Sequence, residues 1–152
     1  MNALYRLLFI VSFLSITDAL WCPDGYTPLP GQNVDNVCVT SNARAMNFYD
    51  AEKGCASVGA TLAQIWNLYD NSYLYALMKK DLNSTAPYIG VVNSGNGTWM
   101  YPGGRPLYYE NWNPGYPKAD DNCAIMDPET AKWNSTSCID KQPSFCSFFG
   151  TG

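Results

Sequence analysis

The last third of the chain contains the stretch that decides the fold, and residues 111–146 read NWNPGYPKADDNCAIMDPETAKWNSTSCIDKQPSFC. Two tryptophans, a Pro-Gly turn and three cysteines follow one another in it. Upstream of this stretch stand Trp99, the run Tyr-Ile-Gly-Val at 88–91 and Cys55, and a further pair, Cys22 and Cys38, lies nearer the N-terminus. Six cysteines allow many disulfide connectivities, so local structure has to narrow the choice.

Local sequence narrows the cysteine pairing without fixing it. Cys22 and Cys38 flank a segment rich in proline and glycine, which favours a hairpin closed by that pair. Cys55 lies on a predicted helix and needs a partner in the core, for which Cys146, in the apolar run 145–149, is the candidate. Zinc ligation is disfavoured because the chain has neither a Cys-x-x-Cys pair nor histidine.

The N-terminus predicts the compartment. Arg6 precedes an apolar run at 7–14, and a small residue, Ala19, follows Thr17 and Asp18, as is typical of a cleaved secretory signal peptide. Polar residues interrupt the segment too early for a membrane anchor, which needs about 18 apolar residues. We therefore expect residues 1–19 to be a signal peptide, residues 20–152 to form one domain with its core at 21–149, and the product to be secreted and extracellular.

The amino-acid composition limits the classes of function that the chain can have. Twelve glycines and ten prolines indicate a loop-rich domain that needs disulfide bonds for stability. The net charge is −4 and the nine basic residues are scattered, which disfavours nucleic acid and membrane insertion. The chain has no histidine to act as a base, paired cysteines would leave no thiol nucleophile, and the adjacent Asp120 and Asp121 do not resemble the separated acids of a glycosidase. We predict that the protein is not an enzyme.

Two helices are predicted in the first half. Asn47 is a good N-cap, and apolar positions recur with helical period from Phe48 through Cys55 to Val58, with Gly59 as the stop. A second helix is predicted near residues 70–80, after a short extended piece at 61–65. Its expected buried stripe consists of Leu74, Leu77 and Met78.

The second half is predicted to be strands around a long loop. Two adjacent strands, at 88–92 and 98–101, frame the turn dipeptide Asn96-Gly97. Further strands are expected at 123–127, 132–135 and 145–149. Residues 102–121 show no regular pattern and are predicted to form a long loop. Loops longer than about 15 residues in a compact domain usually have a function.

In this order the landmarks resemble the C-type lectin-like domain, in the long form whose additional N-terminal hairpin carries its own disulfide. The resemblance spans Trp21 to about Phe149. It implies an α+β fold with two helices, antiparallel strands and a long irregular loop that carries the ligand site. It also implies three disulfides, which are Cys22–Cys38, Cys55–Cys146 and Cys123–Cys138.

The family's calcium motif is degenerate in this chain. Calcium takes six to eight oxygen ligands. Calcium-dependent members of the family supply some of these oxygens from the motif Glu-Pro-Asn or Gln-Pro-Asp. This chain has Tyr116-Pro117-Lys118 at that place. The family's Trp-Asn-Asp reads Trp133-Asn134-Ser135, while Asp121, with Asp120 beside it, matches an acidic ligand. We therefore expect no cofactor, with calcium as the one metal that the remaining motif would suggest. The resemblance also implies a cis peptide bond before Pro117.

The remaining positions form the predicted ligand site. An ammonium at Lys118 could act as a countercharge for the neighbouring aspartates, although a lysine pointing into water is the commoner outcome and is favoured here. Tyr116 occupies a position whose family counterpart faces the ligand. We interpret the other aromatic residues in and around the loop as mainly structural. They are Tyr108, Tyr109 and Trp112 in the loop, and Trp99 and Trp133 outside it. The candidate ligand-binding residues are Tyr116, Lys118, Asp120, Asp121 and Asn134.

Three sequons predict N-glycosylation, at Asn83, Asn96 and Asn134. The first two are ordinary surface candidates. Asn134 lies inside the motif that would bind calcium and sugar, and between two cysteines, so the sequence leaves its modification open.

Two functional hypotheses follow. The first is a secreted binding protein that recognises glycans, such as those of microbial surfaces, without an intact calcium motif. The alternative is a calcium-independent scaffold that binds a protein, and fold alone does not decide between them. No coiled coil or spare cysteine is evident, so the sequence leaves the oligomeric state open.

Overall fold

The computed structural model describes residues 22–30 and 36–150. The expected signal peptide at 1–19 lies outside the described residues, as does Trp21, where the resemblance begins. Within the described part of the chain, no helix is long and apolar enough to cross a membrane.

Both predicted helices are present. Helix α1 spans Phe48–Ala56, and the side chain of its N-cap, Asn47, accepts a hydrogen bond of 2.9 Å from the backbone N–H of Asp50. The helix ends three residues before Gly59, and Val58, expected on the buried face, is exposed instead because it lies beyond the last turn.

Helix α2 spans Leu68–Asp81 and begins earlier than predicted, because Asn67 caps it in the same way that Asn47 caps α1. Its expected stripe of Leu74, Leu77 and Met78 is buried, which confirms the predicted face. Asp70, one turn into the helix, is buried and also accepts the backbone N–H of Trp66.

Nine strands occur in the described residues, and they form one sheet. They are β1 (Thr27–Pro28), β2 (Asn36–Met46), β3 (Thr61–Leu62), β4 (Tyr88–Asn93), β5 (Trp99–Tyr101), β6 (Arg105–Pro106), β7 (Cys123–Met126), β8 (Trp133–Thr136) and β9 (Gln142–Gly150).

The sheet differs from the sequence prediction in three places, one of which is the parallel pairing of β4 with β9 where antiparallel strands were expected. Strand β2 was not predicted, because its polar second half, from Thr40 onward, has no clear alternation and owes its structure to antiparallel pairing with β9. Strand β6 lies in the segment at 102–121 predicted to be wholly irregular, and it pairs Arg105 with Tyr101. The predicted β4–β5 hairpin is confirmed.

The strand order β1-β2-β9-β4-β5-β6 places β9 at the centre, with β7 and β8 attached through β4. One apolar cluster lies around α2 and includes Leu74, Met78 and Ile89; a second lies around α1 and includes Phe48 and Tyr88. The chain passes very close to itself at Gly90, where a Cβ atom would lie 2.4 Å from the Leu62 carbonyl oxygen.

Three disulfides join the elements, and they are the pairs that the resemblance implies. Cys22–Cys38 closes the N-terminal hairpin of β1 and β2. Cys55–Cys146 joins α1 to β9 across 91 residues, and Cys123–Cys138 joins the start of β7 to the segment after β8. All cysteines of the described residues are paired.

Candidate functional site

The long loop is fixed to strand β8 by its aromatic start. Trp112 packs edge-on against Trp99 and Trp133, with ring centroids 4.9 and 5.6 Å away. The backbone N–H of Trp133 donates to Asn111 O at 2.7 Å, and Asn113 N–H donates back to Trp133 O at 2.9 Å. These contacts support the structural interpretation of the three tryptophans.

Strand β8 is also attached to helix α2, through hydrogen bonds made by Asn71. The indole N–H of the buried Trp133 donates to the side-chain oxygen of Asn71 at 2.8 Å, and the Asn71 amide donates to Ala131 O at 2.8 Å. Because Asn71 is buried and belongs to helix α2, strand β8 is attached to a rigid element of the fold.

Asp127 is the polar hub at the base of the loop. Its Oδ2 accepts hydrogen bonds from the side-chain amides of Asn113 at 3.1 Å and Asn134 at 3.0 Å. Its Oδ1 accepts the backbone N–H groups of Glu129 at 2.8 Å and Thr130 at 3.1 Å. Burial alone would raise the pKa of Asp127, but the hydrogen bonds from Glu129, Thr130 and Asn134 outweigh it and hold the pKa below the ordinary value.

Ser135 is a second polar node, and it joins the two sides of the loop. The Lys118 backbone N–H donates to its hydroxyl oxygen at 2.8 Å, and the hydroxyl donates to Asp121 Oδ2 at 2.7 Å. Ser135 is buried, so these bonds form where water has little access. The hydroxyl thereby bridges the segment after Pro117 to the acidic segment before Cys123.

The outer side of the loop carries Tyr116, Lys118 and Asp120. The Tyr116–Pro117 peptide bond is cis, as the resemblance implies. The Lys118 ammonium lies 4.9 Å from the centroid of the half-buried Tyr116 ring. In the described part of the chain the salt bridge found joins Lys80 to Asp81, so Lys118 caps a ring there and forms no ion pair with Asp120 or Asp121.

The residues at the family's calcium positions do not fit a calcium ion. The Asn134 side-chain oxygen accepts from the Asn113 amide at 2.8 Å, and its amide donates to Asp127. The motif carboxylate, Asp121, accepts the Ser135 hydroxyl. Within residues 22–30 and 36–150, no group of three or more acidic, cysteine or histidine side chains could hold a metal. Asn134 Oδ1 and Asp121 Oδ2 are thus hydrogen-bonded within the protein, and Tyr116, Lys118 and Ser135 supply no carboxylate at the other motif positions.

The structure brings together most of the predicted site residues but with different roles. Asp121 and Asn134 are internal, half-buried partners, whereas Lys118 and Asp120 are exposed and Tyr116 is half-buried at the surface. Sequence reasoning missed Asp127, although an aspartate followed by Pro-Glu-Thr at the end of a predicted strand is a recognisable turn signal. It also treated Tyr108 as structural, whereas its side chain is 73% exposed.

The three sequon asparagines differ in their surroundings. Asn83 and Asn96 are exposed, on the turn after α2 and in the β4–β5 hairpin. Asn134 lies within strand β8, opposite Ile125, with its carboxamide hydrogen-bonded on both sides.

Comparison with curated proteins gives partial-length relatives. Lymphocyte antigen 75 of Mesocricetus auratus is 32% identical over 112 residues, which cover 70% of this chain and 6% of that protein. The mannose-binding protein of Gallus gallus is 36% identical over 87 residues, covering 55% and 33% respectively. The matched segment therefore spans a third or less of these relatives.

Solved structures match the whole domain. Human lithostathine superposes with a TM-score of 0.75 at 21% identity, covering 85% of this chain and all of that one. A calcium-independent type II antifreeze protein gives 0.73 at 28% identity, covering 86% and 96%. The family model described as the lectin C-type domain matches residues 44–148, which is more than half of the chain. The chain therefore belongs to the C-type lectin domain family.

Proposed function

We propose that this chain is a secreted binding protein that recognises glycans through its long loop without calcium. The observation that carries the proposal is the closed network at the family's calcium positions. Ser135 binds Lys118 N–H and Asp121, and Asn134 binds Asn113 and Asp127, so the loop is held in shape by the protein's own groups. A binding surface shaped in this way requires no metal to order it.

The outer surface of the loop supplies groups suited to a sugar. The Tyr116 ring offers a flat apolar face with a polar edge, which can pack on the apolar face of a pyranose. Lys118 and Asp120 are exposed beside it and provide donors and acceptors for hydroxyl groups. The Lys118 ammonium lies 4.9 Å from the centroid of this ring, so the two side chains can contact one sugar together.

Relatives support the recognition of glycans. One is named a mannose-binding protein, and two similar structures, at 22 and 23% identity, were solved with an N-glycan and a GlcNAc2Man3 oligosaccharide. The similarity to a calcium-independent antifreeze protein supports the metal-free part of the proposal.

Secretion is supported by the N-terminal pattern and by the disulfides. Residues 1–19 have the composition of a cleaved signal peptide. Three disulfides with no free cysteine among the described residues are typical of an oxidising compartment. We propose binding rather than catalysis as the role of the domain.

A glycan array on the secreted protein, run with calcium and with chelator, tests the proposal. We expect the same glycans to bind in both conditions, and the variants Tyr116→Ala and Lys118→Gln to bind them more weakly. Tyr49→Ala, at an exposed tyrosine on α1, is the matched control and should bind like wild type. Binding that disappears with chelator would overturn calcium independence. Failure to bind any glycan, together with specific binding to a protein, would favour the alternative scaffold function.

A further inference from the structure

A second cluster of candidate binding groups lies around β6 in the first part of the long loop, with Arg105 and Tyr108 exposed and Trp66 and Phe149 half-buried. This aromatic–arginine patch consists of Trp66, Arg105, Tyr108 and Phe149. The Trp66 and Tyr108 rings stack at 5.6 Å with an interplanar angle of 23°. The Arg105 guanidinium lies 5.3 Å from the Trp66 ring centroid and 5.8 Å from that of Phe149. None of these residues belongs to the surface around Tyr116.

The patch is supported from beneath by a buried tyrosine. The Tyr101 ring lies 4.6 Å from the Trp66 ring, and its hydroxyl donates to the Ile65 carbonyl. The Trp66 backbone N–H donates in turn to Asp70 in the first turn of α2. Because Trp66 is held on the inner side, the exposed Tyr108 ring stacks on a fixed support, and little rotamer entropy remains to be lost on binding.

Arg105 is exposed and is positioned by the sheet. Strand β6 places it opposite Tyr101, beside the two rings that its guanidinium contacts. Across the described ranges, no carboxylate forms a salt bridge with it, since the salt bridge found there is Lys80–Asp81. A planar guanidinium packed on aromatic faces keeps its N–H edge available for a bidentate interaction with a carboxylate or sulfate.

We propose that this patch binds the acidic sugar residue of a glycan, that is, a pyranose bearing a carboxylate or sulfate. The outer face of Tyr108 packs on the ring of the sugar, and Arg105 pairs with its anionic group. Both side chains contact the same indole, so the two groups are spaced for one or two sugar residues. The inference rests on the proposed glycan-binding function and adds to it the chemical class of the ligand.

Size favours a sugar over a protein as the ligand, and charge makes Arg105 essential. The chain carries a net charge of −4, which opposes the approach of an anion, so the attraction has to come locally from the Arg105 guanidinium. A protein interface of ordinary size buries about 800 Å² on each partner, whereas the patch consists of four side chains. A protein ligand is therefore treated as the competing outcome.

Titrations in chelator test the proposal with two acidic probes, trigalacturonic acid and a heparin tetrasaccharide. The neutral counterparts are the methyl ester of the first and the desulfated, carboxyl-reduced form of the second. We expect at least one acid to bind about tenfold or more tightly than its neutral form, the scale of a charged hydrogen bond. Arg105→Gln should remove that preference, Arg105→Lys should restore part of it, and Tyr108→Ala should weaken binding while Tyr108→Phe preserves it.

Matched controls separate this patch from non-specific effects. Arg44→Gln removes an exposed arginine on β2, and Tyr49→Ala removes an exposed tyrosine on α1; both should bind like wild type. Equal affinity for acid and neutral forms, or equal losses in Arg44→Gln, would overturn the inference.

Glycan binding that responds to Tyr116→Ala and not to Arg105→Gln would overturn the inference while leaving the proposed function intact. Absence of any glycan binding would overturn both, and a protein ligand that depends on Arg105 and Tyr108 would replace the sugar.

Discussion

The body of the domain and its loop region are stabilised in different ways. The body, formed by α1, β2, β3 and β9, is joined by Cys55–Cys146 and packs apolar side chains such as Phe48 and Leu62. The loop region, formed by residues 102–121 with β7 and β8, is joined by Cys123–Cys138 and adds a polar network to the packing of Trp112 on Trp133. Apolar burial and a long covalent link dominate in the first, and a hydrogen-bond network shapes the surface of the second.

The difference predicts that stability and ligand binding depend on different parts of the domain. Apolar packing is non-directional and tolerates changes of sequence that keep volume. A network in which Asp127 accepts four N–H groups fixes the geometry of the surface above it and depends on each of its members. We therefore expect changes in the body to alter unfolding, and changes in the loop region to alter ligand binding with smaller effects on unfolding.

Removing the disulfides should give the largest contrast. Replacing Cys55 and Cys146 by alanine releases a loop of 91 residues, for which the chain-entropy model gives a loss of about 4 to 5 kcal/mol. Replacing Cys123 and Cys138 releases 15 residues and should cost about 3 kcal/mol. Chemical denaturation of the two double variants measures both values.

The order of these two losses is the informative result. A larger loss for the Cys123–Cys138 variant would show that the loop region, and not the body, carries the stability of the domain. Non-reducing peptide mapping of the wild type has to recover the three expected pairs first, and a peptide joining Cys38 to Cys55 would contradict the fold.

The next effect concerns Asp127. Alanine at this position leaves four N–H donors without their acceptor in a half-buried site, and we expect a loss of about 2 kcal/mol in the free energy of unfolding. Asp120→Ala, at an exposed carboxylate of the same region, is the control and should change stability little. Equal losses in the two variants would argue against a network that shapes the loop.

The pH dependence gives an independent measure of the same group. Because the folded-state pKa of Asp127 is lowered, its contribution is fully present above the unfolded value, near 3.8, and is lost as the pH falls through the folded-state pKa. Below pH 4 the wild type should therefore lose more stability than Asp127→Ala does. Parallel acid profiles would contradict the assignment.

Much of the fold was predictable because its signals are local. Asn47 and its apolar repeat predict α1, and the β4–β5 hairpin follows from Asn96-Gly97, since capping and turn chemistry act over a few residues. Strand β2 was missed because pairing with β9, a hundred residues away, decides it. Tertiary pairing of that kind leaves little trace in a polar segment.

The candidate site was predictable in position but not in its interactions. The comparison of Tyr116-Pro117-Lys118 with the family motif located the degenerate calcium positions. It did not show that Ser135 binds Lys118 N–H and Asp121, because a serine hydroxyl accepts many partners and the sequence does not reveal which one is near. Arg105 was overlooked for the same reason, as its aromatic neighbours come from distant parts of the chain.

Calcium should have almost no effect on the wild type. A ligand at 100 times its dissociation constant stabilises a protein by about 2.7 kcal/mol. In this chain Asn134 Oδ1 already accepts from the Asn113 amide, and Asp121 Oδ2 accepts from the Ser135 hydroxyl. We expect the melting temperature to be the same in millimolar calcium and in chelator. Magnesium is the control for general effects of a divalent ion. A rise of several degrees with calcium alone would show a metal site in the loop region.

The smallest expected effect is at the sequon of Asn134, where we predict no glycan. The Asn134 carboxamide donates to Asp127 and accepts from Asn113 within strand β8, so the transferase has no exposed loop to act on once β7 and β8 pair.

Asn83 and Asn96 are exposed in turns and should both be modified. In protein expressed through the secretory pathway of eukaryotic cells, Thr136→Ala should therefore leave the intact mass unchanged apart from the substitution, whereas Thr85→Ala and Thr98→Ala should each remove one glycan. A glycan mapped to Asn134 would mean that the transferase acts before the strand forms. It would also mean that the polar network at Asp127 is incomplete in the modified protein, and that the loop region is shaped by something other than its own side chains.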